Sequence, residues 1–145
     1  MYPPATEPDL SSLQMAPPVG GWLLILCRLL LVYQPVTLAL TTSSALHALS
    51  LRGLPLGLLI AVRIAVAGLC IAAGRALTSR QPGAVRLAQV ALLLSAGSDM
   101  LVYGTPYFPD NRPPGDTPLY VGASLTYHAV WLVYLVRSKR VRRTY

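Results

Sequence analysis

Residues 54–73 read LPLGLLIAVRIAVAGLCIAA. Across this stretch a single charge, Arg63, interrupts an otherwise apolar run. Twenty residues at a helical rise of 1.5 Å extend about 30 Å, the thickness of a bilayer's hydrocarbon core. A surface helix of a soluble domain keeps a polar face. This run has no polar side and no two-residue alternation, so it reads as a transmembrane helix and not as a barrel strand.

Three further runs share that character. With the first, they place four spans at about 22–42, 54–74, 85–103 and 119–136 of a chain of 145 residues. The whole chain is 54% hydrophobic and 12% charged, with a mean hydropathy of +0.53. Soluble domains carry roughly 25% charged residues, because charge is what covers a surface in water. In hydrocarbon every backbone polar group must bond within its own segment, which leaves the helix as the only plausible form for these spans. The expected fold class is therefore all-α, a polytopic membrane protein with four transmembrane helices.

The flanks set the orientation. Residues 1–19 contain five prolines and no Lys or Arg, and form an expected disordered lead-in without the positive region of a secretory signal. Residues 137–145 hold five bases: Arg137, Lys139, Arg140, Arg142 and Arg143. Arg75, Arg80 and Arg86 flank the connection between the second and third spans. With the N-terminus inside, eight bases lie on the inner side, against Arg52 and Arg112 on the other. This positive-inside bias predicts that both termini are cytoplasmic. The bilayer itself is the first expected partner, with anionic lipids held by the basic tail, where each base contributes roughly 1 kcal/mol. Trp22, Trp131 and Tyr134 mark the inner interface.

Four ionisable residues fall inside spans: Arg28, Arg63, Asp99 and His128. Such residues are costly in lipid and frequently functional. Arg28 is close enough to the inner end to snorkel. Arg63 and Asp99 lie on consecutive antiparallel helices, roughly 12 and 7 Å from the outer end at 1.5 Å per residue. They are expected to pair, with His128 nearby. Small residues repeat at Ala61, Ala65, Gly68 and Ala72 on the second helix. On the third they repeat at Ala84, Ala88, Ala91, Ser95 and Ser98. Both series predict one close-packed hairpin. Gln34–Pro35 predicts a kink in the first helix.

Several chemistries are excluded. The two histidines, His47 and His128, do not make a haem-ligating pair, and no zinc or calcium spacing occurs. No Gly-rich phosphate loop is present. Ser124 precedes His128 by one turn, but no acid is placed to orient that histidine. Cys27 and Cys70 are expected as buried hydrophobes. A basic tail without a folded basic face or stacking aromatics does not point to nucleic acid. No cofactor, no metal and no enzymatic activity are expected.

Two stretches carry a resemblance. GGWLLILCRLLLVYQP (20–35) resembles the first span of a bacterial inner-membrane family of unknown function, domain-of-unknown-function family 2569, on Gly20, Gly21, Trp22, Leu23 and Pro35. VWLVYLVRSKRVRRTY (130–145) resembles that family's end on Trp131, Tyr134, Ser138, Lys139, Arg140, Val141 and Thr144, closing on Tyr145. The chain departs from the family pattern at Leu135 and Tyr145, where Phe is more usual. The resemblance implies four spans with cytoplasmic termini in a bacterial inner membrane, and no known activity. It also suggests a contact between the first and fourth helices near Trp22 and Tyr134.

Two functional expectations follow. The first is a non-enzymatic accessory or interaction subunit, using the small helix faces and the basic tail, with a membrane-protein partner or a second copy. The alternative is a small oligomeric transporter or channel whose polar path runs through Arg63, Asp99 and His128.

Overall fold

The structure is a computed structural model that describes residues 21–105 and 115–145, with backbone only at 44, 46–48, 50–52, 140, 143 and 144. The lead-in at 1–19, Gly20 and the outer-loop residues Asp110 and Arg112 lie outside the described residues, as do the side chains of Arg140 and Thr144.

Every described element is helical. Helix α1 (Trp22–Arg28) runs into a π-helical turn (Leu29–Tyr33) and then α2 (Gln34–Thr78). Helices α3 (Ala84–Gly104), α4 (Thr117–Arg137) and α5 (Lys139–Thr144) follow. Four segments are long and apolar enough to cross a membrane: Trp22–Ser43, Gly53–Thr78, Ala84–Gly104 and Thr117–Arg137.

The predicted kink takes the form of the π turn. Pro35 has no N–H to offer the Leu31 carbonyl, and its ring would crowd that carbonyl. The wider turn at Leu29–Tyr33 makes room, and Pro35 opens the next helical stretch.

The apolar pattern ends the first span near residue 42, but the backbone is helical through residue 52. No Gly or Pro occurs between 36 and 52 to stop it. The reversal is concentrated at Gly53, whose φ of 60° and ψ of −143° suit glycine alone. Pro55 then falls in the first turn of the second arm, where its missing N–H costs nothing. The two arms of α2 run antiparallel, which seats Gly74 against Leu30, Leu31 and the Cys27 carbonyl.

Helix α3 packs between the second arm and α4. Its small face behaves as expected: Ala84, Ala88, Ala91, Ser95 and Ser98 are all buried. The second helix does not. Ala61, Ala65, Gly68 and Ala72 are exposed, and the buried face is Val66, Ala67, Cys70, Ala73 and Leu77. This segment is small on every side, so composition did not choose a face; larger Val66 and Leu77 fill the interior better.

The main core lies toward the basic end, where Leu23, Leu26 and Leu30 meet Cys70, Leu77, Ala88, Leu92 and Leu135. Tilted ring pairs Trp22–Trp131 (6.4 Å) and Tyr33–Tyr127 (5.8 Å) join the first span to α4. Trp131 in turn meets Tyr134 edge-on at 5.9 Å. The suggested contact between the ends of the first and fourth helices is thus present. Outward faces remain apolar, with Leu40 69%, Leu54 75% and Leu119 71% exposed.

The basic segment is docked. Ser138 is extended and ends α4, and its Oγ accepts the Val141 amide at 3.4 Å to start α5. Val141 is buried in the main core. The Tyr145 hydroxyl donates to the Leu77 carbonyl at the end of α2, which also accepts the Arg80 amide. Burial pushes the Tyr145 phenol above its ordinary range, against the pull of Arg80. Only the protonated phenol can donate, so this contact is fully present below the ordinary value of about 10. It is lost as pH rises through the docked value. An ultraviolet difference titration of the wild-type chain against Tyr145→Phe should place this phenol above about 10. A value at or below that would mean that the tail is undocked.

Candidate functional site

Helices α2, α3 and α4 bring polar side chains to one place in an otherwise apolar bundle. On α3 the inward face runs through Ser95, Ser98 and Val102, and Asp99 sits at its edge. On α2 Arg63 lies one turn from Val66 on the inward side. On α4 His128 shares the inward face with Trp131 and Leu135. Each polar group therefore rides on a helix that its apolar neighbours orient.

The expected pair is present. Arg63 Nη1 donates to Asp99 Oδ1 at 2.6 Å, with side chains 10% and 14% exposed. The other carboxylate oxygen, Oδ2, accepts the Ser124 hydroxyl at 2.7 Å. Ser124 Oγ is 3.4 Å from His128 Nδ1. Asp99 therefore reaches the histidine through Ser124, a link the sequence reading did not supply.

His128 Nδ1 also lies 2.8 Å from the Ser124 carbonyl. A carbonyl only accepts, so in the neutral ring Nδ1 carries the proton. Nε2 is then a bare acceptor, buried and without a partner among the described residues. The Tyr127 hydroxyl is in the same condition. The two rings meet edge-on at 5.0 Å. Buried polar groups are rarely left unpaired, and each costs free energy when it is.

A cavity of about 330 Å³ adjoins these groups, lined among others by Tyr33, Gln34, Thr37, Arg63, Asp99, Ser124, Tyr127 and His128. Gln34 was read from sequence only as a kink marker. It is buried, and its Nε2 donates to Ser95 Oγ at 2.8 Å. Ser98 Oγ donates to the Ser95 carbonyl at 2.9 Å. Gln34 and Tyr127 are thus site residues that the sequence does not single out, and Ser124 stands there only as a neighbour of His128, without its link to Asp99; the only signal is a polar residue within an apolar run.

Arg28 is not part of the site, being exposed on the first span. Of the family-like positions, Gly21 caps the first turn through its carbonyl, which accepts the Leu24 and Ile25 amides. Trp22, Trp131 and Tyr134 form the aromatic cluster at the basic end, and Lys139 opens α5. Cys27 and Cys70 are buried free thiols. Among the described residues no three His, Cys, Asp or Glu side chains gather as a metal site.

Compared with family models, curated proteins and solved structures, the chain matches none.

Proposed function

We propose that this chain is a multi-pass protein of a bacterial inner membrane that holds and passes a small, neutral, hydrogen-bonding solute through the cavity beside Asp99. The observation that carries this reading is the pair of unpartnered buried polar atoms, Tyr127 Oη and His128 Nε2, on residues that line the cavity. One can donate and the other accepts, which suits a solute with both a hydroxyl or N–H and an oxygen. Arg63 and Asp99 cancel each other's charge, so the site offers an ion no net countercharge. About 330 Å³ is at the small end for a ligand pocket, which favours a solute of few heavy atoms.

The charge distribution supports cytoplasmic termini, and the two family-like stretches support placement with the bacterial inner-membrane family of unknown function. Neither reading requires an enzyme.

The test is re-swelling of proteoliposomes after osmotic shock, with glycerol and urea as probes. Vesicles with the wild-type chain should re-swell faster than protein-free vesicles. Tyr127→Phe and His128→Phe should each return most of the way to the protein-free rate. Wild-type vesicles that behave as protein-free ones would sink the reading. The accessory-subunit reading would then take its place. It has one observation in its favour: the small face Ala61, Ala65, Gly68 and Ala72 is left uncovered by the chain's own helices and would let another helix approach closely.

A further inference from the structure

We propose that a groove at the basic end, between the start of α3 and the corner of α4 and α5, binds an anionic phospholipid. Arg86 and Arg142 would hold its phosphate. This rests on the membrane reading but not on the solute cavity, which is lined by other residues.

The groove encloses about 570 Å³ and is amphiphilic. Arg86 and Gln89 come from α3 and Arg142 from α5, while Val85, Val136 and Val141 supply apolar walls. A phospholipid has the same division, a charged head above two hydrocarbon chains. Val136 is 53% exposed, and so is Val133 one turn further into the bundle. They form an apolar track leading away from the two arginines.

The head position is built rather than incidental. Arg142 Nη2 donates to the Val136 carbonyl at 3.2 Å, which fixes the guanidinium over the end of α4. A guanidinium has five N–H donors, so several remain for phosphate oxygens. Helix α5 is held by buried Val141 and by the Tyr145–Leu77 bond, so Arg142 is carried on a docked element.

Charge complementarity decides the class of occupant. The described acids are Asp99, within the bundle, and Asp116, at the opposite end of α4. No described Asp or Glu side chain is therefore at this end to neutralise Arg86 and Arg142, and the terminal carboxylate of Tyr145 offsets only one of the two charges. Trp22, Trp131 and Tyr134 cluster at the same end of the bundle, where interfacial aromatics mark the level of lipid headgroups.

The experiment is native mass spectrometry of the full chain in a non-ionic detergent. Phosphatidylglycerol, phosphatidylcholine and inorganic phosphate are added in separate arms. The wild type should retain one phosphatidylglycerol in preference to phosphatidylcholine. Arg86→Gln with Arg142→Gln should weaken that binding roughly tenfold to thirtyfold. Arg28→Gln with Arg75→Gln removes the same charge elsewhere and should stay within about twofold. Arg86→Lys with Arg142→Lys keeps the charge and should bind at an intermediate level, because the planar fork is lost. This variant also covers the case in which the glutamine pair does not fold. Equal weakening by both glutamine pairs would overturn the proposal in favour of diffuse attraction. Equal retention of phosphatidylcholine, or displacement of the lipid by an equal concentration of inorganic phosphate, would overturn it as well.

Discussion

Arg63→Ala should destabilise the bundle by roughly 3–5 kcal/mol, the range for removing one partner from a buried ion pair. The loss would be dominated by what remains. Asp99 would keep one hydrogen bond, from Ser124, and carry an uncompensated charge in apolar surroundings. Asp99→Ala should cost a similar amount, since it strands Arg63 and frees Ser124. The double variant should lose clearly less than the sum of the two, with a coupling of roughly 0.5–3 kcal/mol. Reversible unfolding in mixed micelles, followed by the fluorescence of Trp22 and Trp131, measures all four corners of this cycle. Additive losses would mean that the two groups do not support each other in the folded protein.

The second large effect should come from Gly74. A β-carbon there would lie 2.9 Å from Leu31 Cγ, 3.3 Å from Leu30 Cβ and 3.3 Å from the Cys27 carbonyl oxygen. Leu31 can shift, but the carbonyl belongs to a helix that is itself packed. Gly74→Ala is expected to cost about 1–3 kcal/mol, the usual range for overpacking, and Gly74→Leu more. Gly68 supplies the control. Nothing lies within 4 Å of a β-carbon at that position. Gly68→Ala should therefore be neutral or stabilising, by up to the ~1 kcal/mol that separates the two residues in a helix. The same unfolding assay separates the cases. Equal responses at 68 and 74 would show that the arms are not in close contact.

These two sites also show what could be read from sequence. The Arg63–Asp99 pair was legible because a charge in an apolar run demands a countercharge, and helical rise fixes the depth of each. Ser124 and Gln34 were not legible in the same way. A serine or glutamine in such a run has several local and distant partners open to it, and nothing in the spacing selects one. The packing face of the second helix was misread because Ala and Gly surround it, so small size carried no directional information. On α3 the larger Leu87, Leu93 and Leu94 sit off the small face, and there the periodicity was decisive. The helical connection at 43–52 is not legible because the apolar run gives way at Thr41, Thr42, Ser43 and Ser44, where the span's pattern ends. In the structure Thr41 turns its hydroxyl back onto the Thr37 carbonyl at 2.8 Å, satisfying itself within the helix.

The reversal at Gly53 has a kinetic side. Two long helices joined by a single residue have almost no loop to close, and loop closure is the entropic cost that delays contact between distant segments. The arms are neighbours as soon as each is helical, and every contact between them is reached by zipping outward from the bend. Leu56 and Ala45, buried residues near it among those described, would meet early, and the Gly74 contact with the turn before Pro35 would come late. The first half of the chain thus carries its own order of assembly, set by where Gly53 falls between the two arms.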